Sequence, residues 1–65
     1  MRAIKLTTRE SEIYQLILLG KSNKKIGDEL FISINTVKTH VAKILKKRAA
    51  NNRIELITNY KHNNN

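Results

Sequence analysis

Between Asn35 and Lys46, residues suited to recognising a ligand recur at helical spacing: Asn35, Lys38, Thr39, Ala42 and Lys46, flanked by Lys43. At about 100° per residue they form one stripe of a helix. The lysines offer cations for phosphates. Asn35 and Thr39 offer an amide and a hydroxyl for base edges, and Ala42 is small enough to allow close approach. This chemistry binds and reads; it does not make or break bonds. No nucleophile–base or carboxylate pair has a visible context elsewhere, so enzymatic activity is not expected. The opposite stripe, Val37, Val41, Ile44 and Leu45, needs a core. An amphipathic basic helix is often only a solvated face, so its surroundings decide what it means.

Composition supports a polyanionic partner. Thirteen Lys plus Arg stand against five acids, a formal charge of +8, with a pI near 10.2. The excess is concentrated in Lys21, Lys24, Lys25, Lys38, Lys43, Lys46, Lys47 and Arg48, which face only Asp28 and Glu29 over that stretch. Charge of this kind attracts nucleic acid, although acidic proteins or anionic surfaces would answer to it as well. Without cysteine there is no disulfide framework or thiolate metal site. His40 borders the apolar stripe, where it reads as a packed, hydrogen-bonded histidine; no second metal ligand stands near it. No metal and no cofactor are expected. The longest apolar run, Leu16 to Leu19, is too short to span a membrane, and the start lacks a signal-peptide pattern. A cytoplasmic, nucleoid-associated protein is the expectation.

Sixty-five residues allow one small domain. Absence of proline and the presence of only two glycines argue against an all-β chain and for an all-α one. Residues 1–5 read as a flexible lead-in, 6–61 as the domain and 62–65 as a disordered tail. Thr7 and Glu10 form a capping box that opens a first helix over Thr8 to Leu19, stopped by Gly20. Its apolar residues Ile13, Leu16 and Ile17, widened by Tyr14, Leu18 and Leu19, imply contact with more than one helix. Ser22 caps a short helix from Asn23 to Leu30, with Ile26 and Leu30 inward. Gly27, unfavourable in mid-helix by about 1 kcal/mol, implies a close crossing. Phe31 and Ile32 then turn the chain to Ser33, the cap of the longer basic helix, about 34–47. Asn52 with Glu55 forms a further capping box before a fourth helix, Arg53 to Lys61. The whole is a small four-helix domain containing a helix-turn-helix.

Several residues carry two readings. Lys24 and Lys25 lie at the wrong end of their helix for cations. They are either tolerated surface lysines or, with Ser22 and the backbone amides, a phosphate site. Lys43, Lys46 and Lys47 suit phosphate attraction. Asn35 either reads adenine or stabilises the first helical turn. Glu10 and Glu12 read as capping and surface groups, and Arg53 either binds phosphate or ties the fourth helix to the body. Ile54 lies on a different face from Leu56 and Tyr60, leaving Ile54 and Tyr60 as candidate dimer contacts.

With these elements placed, the chain resembles the DNA-binding domain of the LuxR/GerE type, also found in NarL- and FixJ-type response regulators. LTTRESEIYQLI resembles that family's opening L-T-x-R-E-x-E, and GKSNKKIGDELFIS its G-x-S-N-K-E-I-A-x-x-L-x-I-S. NTVKTHVAKILKK is similar to its T-V-K-x-H-x-x-x-I-x-x-K, and NRIEL to N-R-x-E-A. The resemblance implies a third helix in the major groove of double-stranded DNA, with Lys38, Thr39 and Ala42 approaching bases. It also implies Ser22, Asn23, Lys24, Thr36 and Lys43 near phosphates, and a fourth helix able to pair two subunits. Departures are Lys25 for the usual Glu, Gly27 for Ala, Arg48 for Leu, and Ala49-Ala50 for Gly-Val. On a helical wheel Arg48 falls on the core stripe, so a leucine's burial, about 1.5–3 kcal/mol, is absent or partly replaced by the arginine stem.

The expected function is sequence-specific binding of double-stranded DNA in transcription regulation, with RNA polymerase a further candidate partner. A region-4-like module of a sigma factor is the alternative within that class. A basic protein-interaction module without DNA sequence specificity is the alternative outside it. The chain is then either a stand-alone regulator or part of a longer protein.

Overall fold

The capping box at Thr7 forms as the sequence implies: Thr7 Oγ1 accepts from the Glu10 amide at 3.1 Å, and the Glu10 carboxylate accepts from the Thr7 amide at 2.9 Å. In the computed structural model, which describes residues 4–63, this box starts α1, Thr8–Leu18. The helix ends one residue before the expected Leu19. Gly20 follows at φ +83°, and the amides of Gly20 and Lys21 close back on Ile17 and Leu16. Glycine reaches that left-handed conformation without strain, which is why the stop falls there.

Ser22 caps α2, Asn23–Leu30, by accepting from the Lys25 amide at 3.1 Å. Phe31 ends it in the left-handed region at φ +60°. Ser33 caps α3, Ile34–Lys47, in the same way as Ser22, through the Thr36 amide. The close approach inferred at Gly27 is present. A Cβ there would lie 2.7 Å from the Ile32 carbonyl oxygen and 3.6 Å from Val37 Cγ2. The α2–α3 turn itself, more than the helix crossing, requires the missing side chain.

Ile13 and Ile17 from α1, Ile26 from α2, and Val37, Val41 and Ile44 from α3 form the core with Leu56 from α4, Arg53–Asn63. Leu6, Tyr14, Leu16, Leu30, Ile32, Leu45, Ala50 and Ile57 close around it. Each fully buried aliphatic side chain contributes about 1.5–3 kcal/mol, enough together to hold α3 by its inner stripe. α1 packs against both α3 and α4, as its broad apolar side implies. Leu19 takes no part and is 71% exposed. Among the described residues, no helix is long and apolar enough to cross a membrane.

Four expectations need correction. Arg48 does not sit on the buried stripe: α3 stops at Lys47, and Arg48, as its C-cap, turns outward. Its guanidinium donates to the Ile4 carbonyl at 2.9 Å and lies 5.9 Å from the centroid of the Tyr14 ring. Glu10 is not a surface group; it is buried, and its carboxylate holds Lys47 Nζ at 2.7 Å. Asn52 Oδ1 accepts from the Glu55 amide, but the Glu55 carboxylate answers to the Asn51 amide, so the second capping box is displaced by one residue. α4 continues to Asn63, two residues beyond the expected end. The lead-in is also held where it is described, because Ile4 and Lys5 offer their carbonyls to Arg48 and Lys47. Residues 1–3 and 64–65 lie outside the described residues.

Candidate nucleic-acid interface

Helix α3 turns its two stripes in opposite directions. Val37 and Ile44 are wholly buried and Val41 nearly so, whereas Asn35, Thr36, Lys38, Thr39, Ala42, Lys43 and Lys46 are all exposed. Among the described residues Lys38, Lys43 and Lys46 have no ion-pair partner. Three exposed cations of one helix are thus left un-neutralised among the described residues.

Local hydrogen bonds define what the polar members can offer. Thr39 Oγ1 donates to the Asn35 carbonyl at 3.1 Å, one turn back along the helix. With its proton engaged there, Thr39 presents a methyl group and an accepting lone pair. Ser33 Oγ and Thr36 Oγ1 lie 3.0 Å apart, and Ser33 also caps the Thr36 amide. Asn35 lies in that capped first turn with its side chain exposed, which leaves both readings of it standing.

The start of α2 supplies a second cationic group. Ser22 takes the Lys25 amide, leaving the first amides, of Asn23 and Lys24, directed out of the helix end. Lys24 pairs with Asp28 at 3.2 Å, but the side chains are 76% and 62% exposed. An exposed pair of that kind contributes little and gives way readily to a better anion. Lys25 is exposed and has no ion-pair partner among the described residues.

Lys47 differs from the other lysines. Half-buried, it bonds the Glu10 carboxylate and reaches the Lys5 carbonyl at 3.3 Å. The Lys47 ammonium and the Thr7 amide together hold the Glu10 carboxyl below the usual glutamate range. This ammonium joins α3 to α1, a structural bond that the phosphate role expected for it does not include. His40 is also only partly as expected: packed at the edge of the core, it leaves Nδ1 buried with no hydrogen-bond partner. Among the described residues no group of three or more His, Cys, Asp or Glu is gathered for a metal.

Arg53, which the sequence allows either to bind phosphate or to tie α4 to the body, has a definite partner within the fold. One guanidinium nitrogen donates to Asn23 Oδ1 at 2.8 Å and the other to the Lys21 carbonyl. The start of α4 is thereby fastened to the start of α2. Burial presses the Arg53 pKa below its ordinary value. Nothing in the sequence could pair residues 30 positions apart; the only signal was a long donor placed at a helix start. On α4, Ile54 is 76% exposed, while Tyr60 meets Tyr14 edge-on at 6.0 Å and remains 39% exposed.

A short helix, a turn over Phe31–Ser33 and a longer helix with a buried and a cationic side define the class: a helix-turn-helix DNA-binding domain of transcription regulation. Residues 5–59 match the luxR family of bacterial regulatory proteins, and the chain belongs to that family. It is 52% identical over 59 residues to the transcriptional regulatory protein LiaR of Bacillus subtilis, covering 91% of this chain and 28% of that protein. It is 54% identical over 52 residues to the uncharacterized response regulatory protein YgeK of Escherichia coli, covering 80% and 35%. With DesR, a transcriptional regulatory protein of Bacillus subtilis, identity is 45% over 56 residues, covering 86% and 28%. The chain thus spans roughly a third or less of the length of these relatives. The family match replaces the sigma-factor alternative.

Proposed function

We propose that this domain reads double-stranded DNA with the outer face of α3 set in the major groove. Asn35, Lys38, Thr39 and Ala42 meet base edges. Ser22, Asn23, Lys24, Lys25, Thr36, Lys43 and Lys46 meet phosphates, and Lys47 stays with Glu10. The observation that carries this reading is the division of α3: one stripe sealed in the core, the other exposing three cations that have no ion-pair partner among the described residues. A lysine can donate to guanine O6 or N7, and the Thr39 methyl suits a thymine methyl. The domain acts as the DNA-contacting part of a cytoplasmic, nucleoid-associated regulator, without enzymatic activity of its own. Two copies pair through α4, where Ile54 is exposed, and RNA polymerase is the partner that the bound regulator addresses.

Binding to labelled duplexes across a salt series tests the assignment. Affinity should fall with a slope of about −0.9 in log K against log[salt] for each phosphate neutralised. Lys43→Ala should weaken binding to all duplexes alike and flatten that slope by about 0.9. Lys38→Ala should instead lose roughly 1–3 kcal/mol of discrimination at one base pair. Unchanged affinity of both variants for every duplex would overturn the groove-face assignment.

A further inference from the structure

We propose that Arg53 is a positioning residue for the DNA backbone contact, acting from α4 through the Asn23 side chain. A guanidinium is donor-only, so the Asn23 atom facing it must be the amide oxygen. That oxygen lies 2.8 Å from Arg53, and the second arm of the fork holds the neighbouring Lys21 carbonyl. With Oδ1 fixed in this way, Asn23 has its NH2 group left to offer. An NH2 group suits an anionic phosphate oxygen, whereas a free asparagine could present either end. Arg53 therefore decides the polarity that the first residue of α2 shows to its ligand.

The same fork fixes the helix start itself, because Lys21 immediately precedes the Ser22 cap. Its two arms, set at a fixed spacing in one plane, hold an oxygen on each side of that cap, which a single ammonium cannot do. Arg53 is half-buried, like Asn23, so its own charge is directed into the protein and away from the duplex. The proposal rests on the reading of Asn23 as a phosphate contact. It adds that this contact is set by a residue which does not touch DNA.

The test is fluorescence anisotropy with a labelled duplex of mixed sequence, well below every variant's melting temperature, for Asn23→Ala, Arg53→Met and the double variant. Asn23→Ala should weaken binding about tenfold, the size of one charge-assisted hydrogen bond. Arg53→Met should weaken it by a similar factor with the salt slope unchanged. The double variant should bind no worse than Asn23→Ala alone. If Arg53→Met does not fold, Arg53→Lys, which keeps one donor, serves in its place and should lose part of the affinity. Wild-type affinity in a folded Arg53 variant, with Asn23→Ala still weakened, would overturn the positioning role alone. A slope reduced by about 0.9 with additive losses would do the same, by making Arg53 a direct phosphate contact. Wild-type affinity in Asn23→Ala would overturn both the proposal and the phosphate reading beneath it.

Discussion

Glu10 performs two tasks that its neighbours in sequence do not reveal together. It closes the cap of α1, and from a buried position it binds Lys47 at the far end of α3. Because Lys47 and Thr7 lower its pKa, the folded state holds this proton less tightly than the unfolded chain does. The stabilisation is therefore complete above the ordinary glutamate value of about 4.5 and is lost as pH falls through the lower folded value. Glu10→Gln should melt below the wild type at neutral pH, and the gap should narrow progressively in acid. A gap independent of pH would show that the carboxylate charge plays no part. The Lys47 ammonium is drawn inward by this pair, which is why it parts company with Lys38, Lys43 and Lys46. On a helical wheel alone all four are simply cations.

Helix boundaries show where local chemistry decided the fold and where it was overruled. The capping serines and Thr7 with Glu10 carried the helix starts into the sequence reading, because a hydroxyl bonding an amide three residues on is a local event. The stripe of Val37, Val41 and Ile44 was legible for the same reason. The end of α3 at Lys47 is as read, but the outward turn of Arg48 just beyond it was not legible. There the chain closes with the Ala50 amide on the Leu45 carbonyl and the Ala49 amide on Lys46. That motif puts Ala49 at φ +54°, and Arg48 leaves the wheel before it can be buried. An L-residue in this region is strained by about 1–2 kcal/mol, and glycine's extra chain entropy offsets part of that. Ala49→Gly, which restores the residue that the family pattern carries, should stabilise the domain by roughly 0.5–1 kcal/mol. In thermal unfolding that is a rise of several degrees; an unchanged or lower melting temperature would contradict it. The remaining illegible links, Arg53 to Asn23 and Arg48 to Ile4, join residues distant in sequence, and spacing cannot pair them.

At the scale of the whole molecule, a net charge of +8 sits on a domain whose core faces away from its lysine-rich surface. On the reading proposed above, the charge brings the domain to a polyanion and the arrangement on α3 decides which sequence it stays on. Pairing through α4 would double that surface and impose two-fold symmetry on the site. Tyr60 already packs on Tyr14, so Ile54 is the residue whose exposure would fall most on pairing. Sedimentation velocity over a concentration series, with and without DNA, should show two copies on one duplex. Ile54→Lys should leave one. Monomeric occupancy of a single half-site at every concentration would remove α4 from the account.

The central claim is that the outer face of α3 reads base sequence and does more than attract phosphate. Selection of bound duplexes from a random pool, run in parallel with wild type and Lys38→Ala, tests it most directly. The wild type should converge on a short preferred sequence, and Lys38→Ala on the same sequence with its preference relaxed at one position. Pools that remain random for both proteins, despite salt-sensitive binding, would contradict the claim and leave a basic surface without a code.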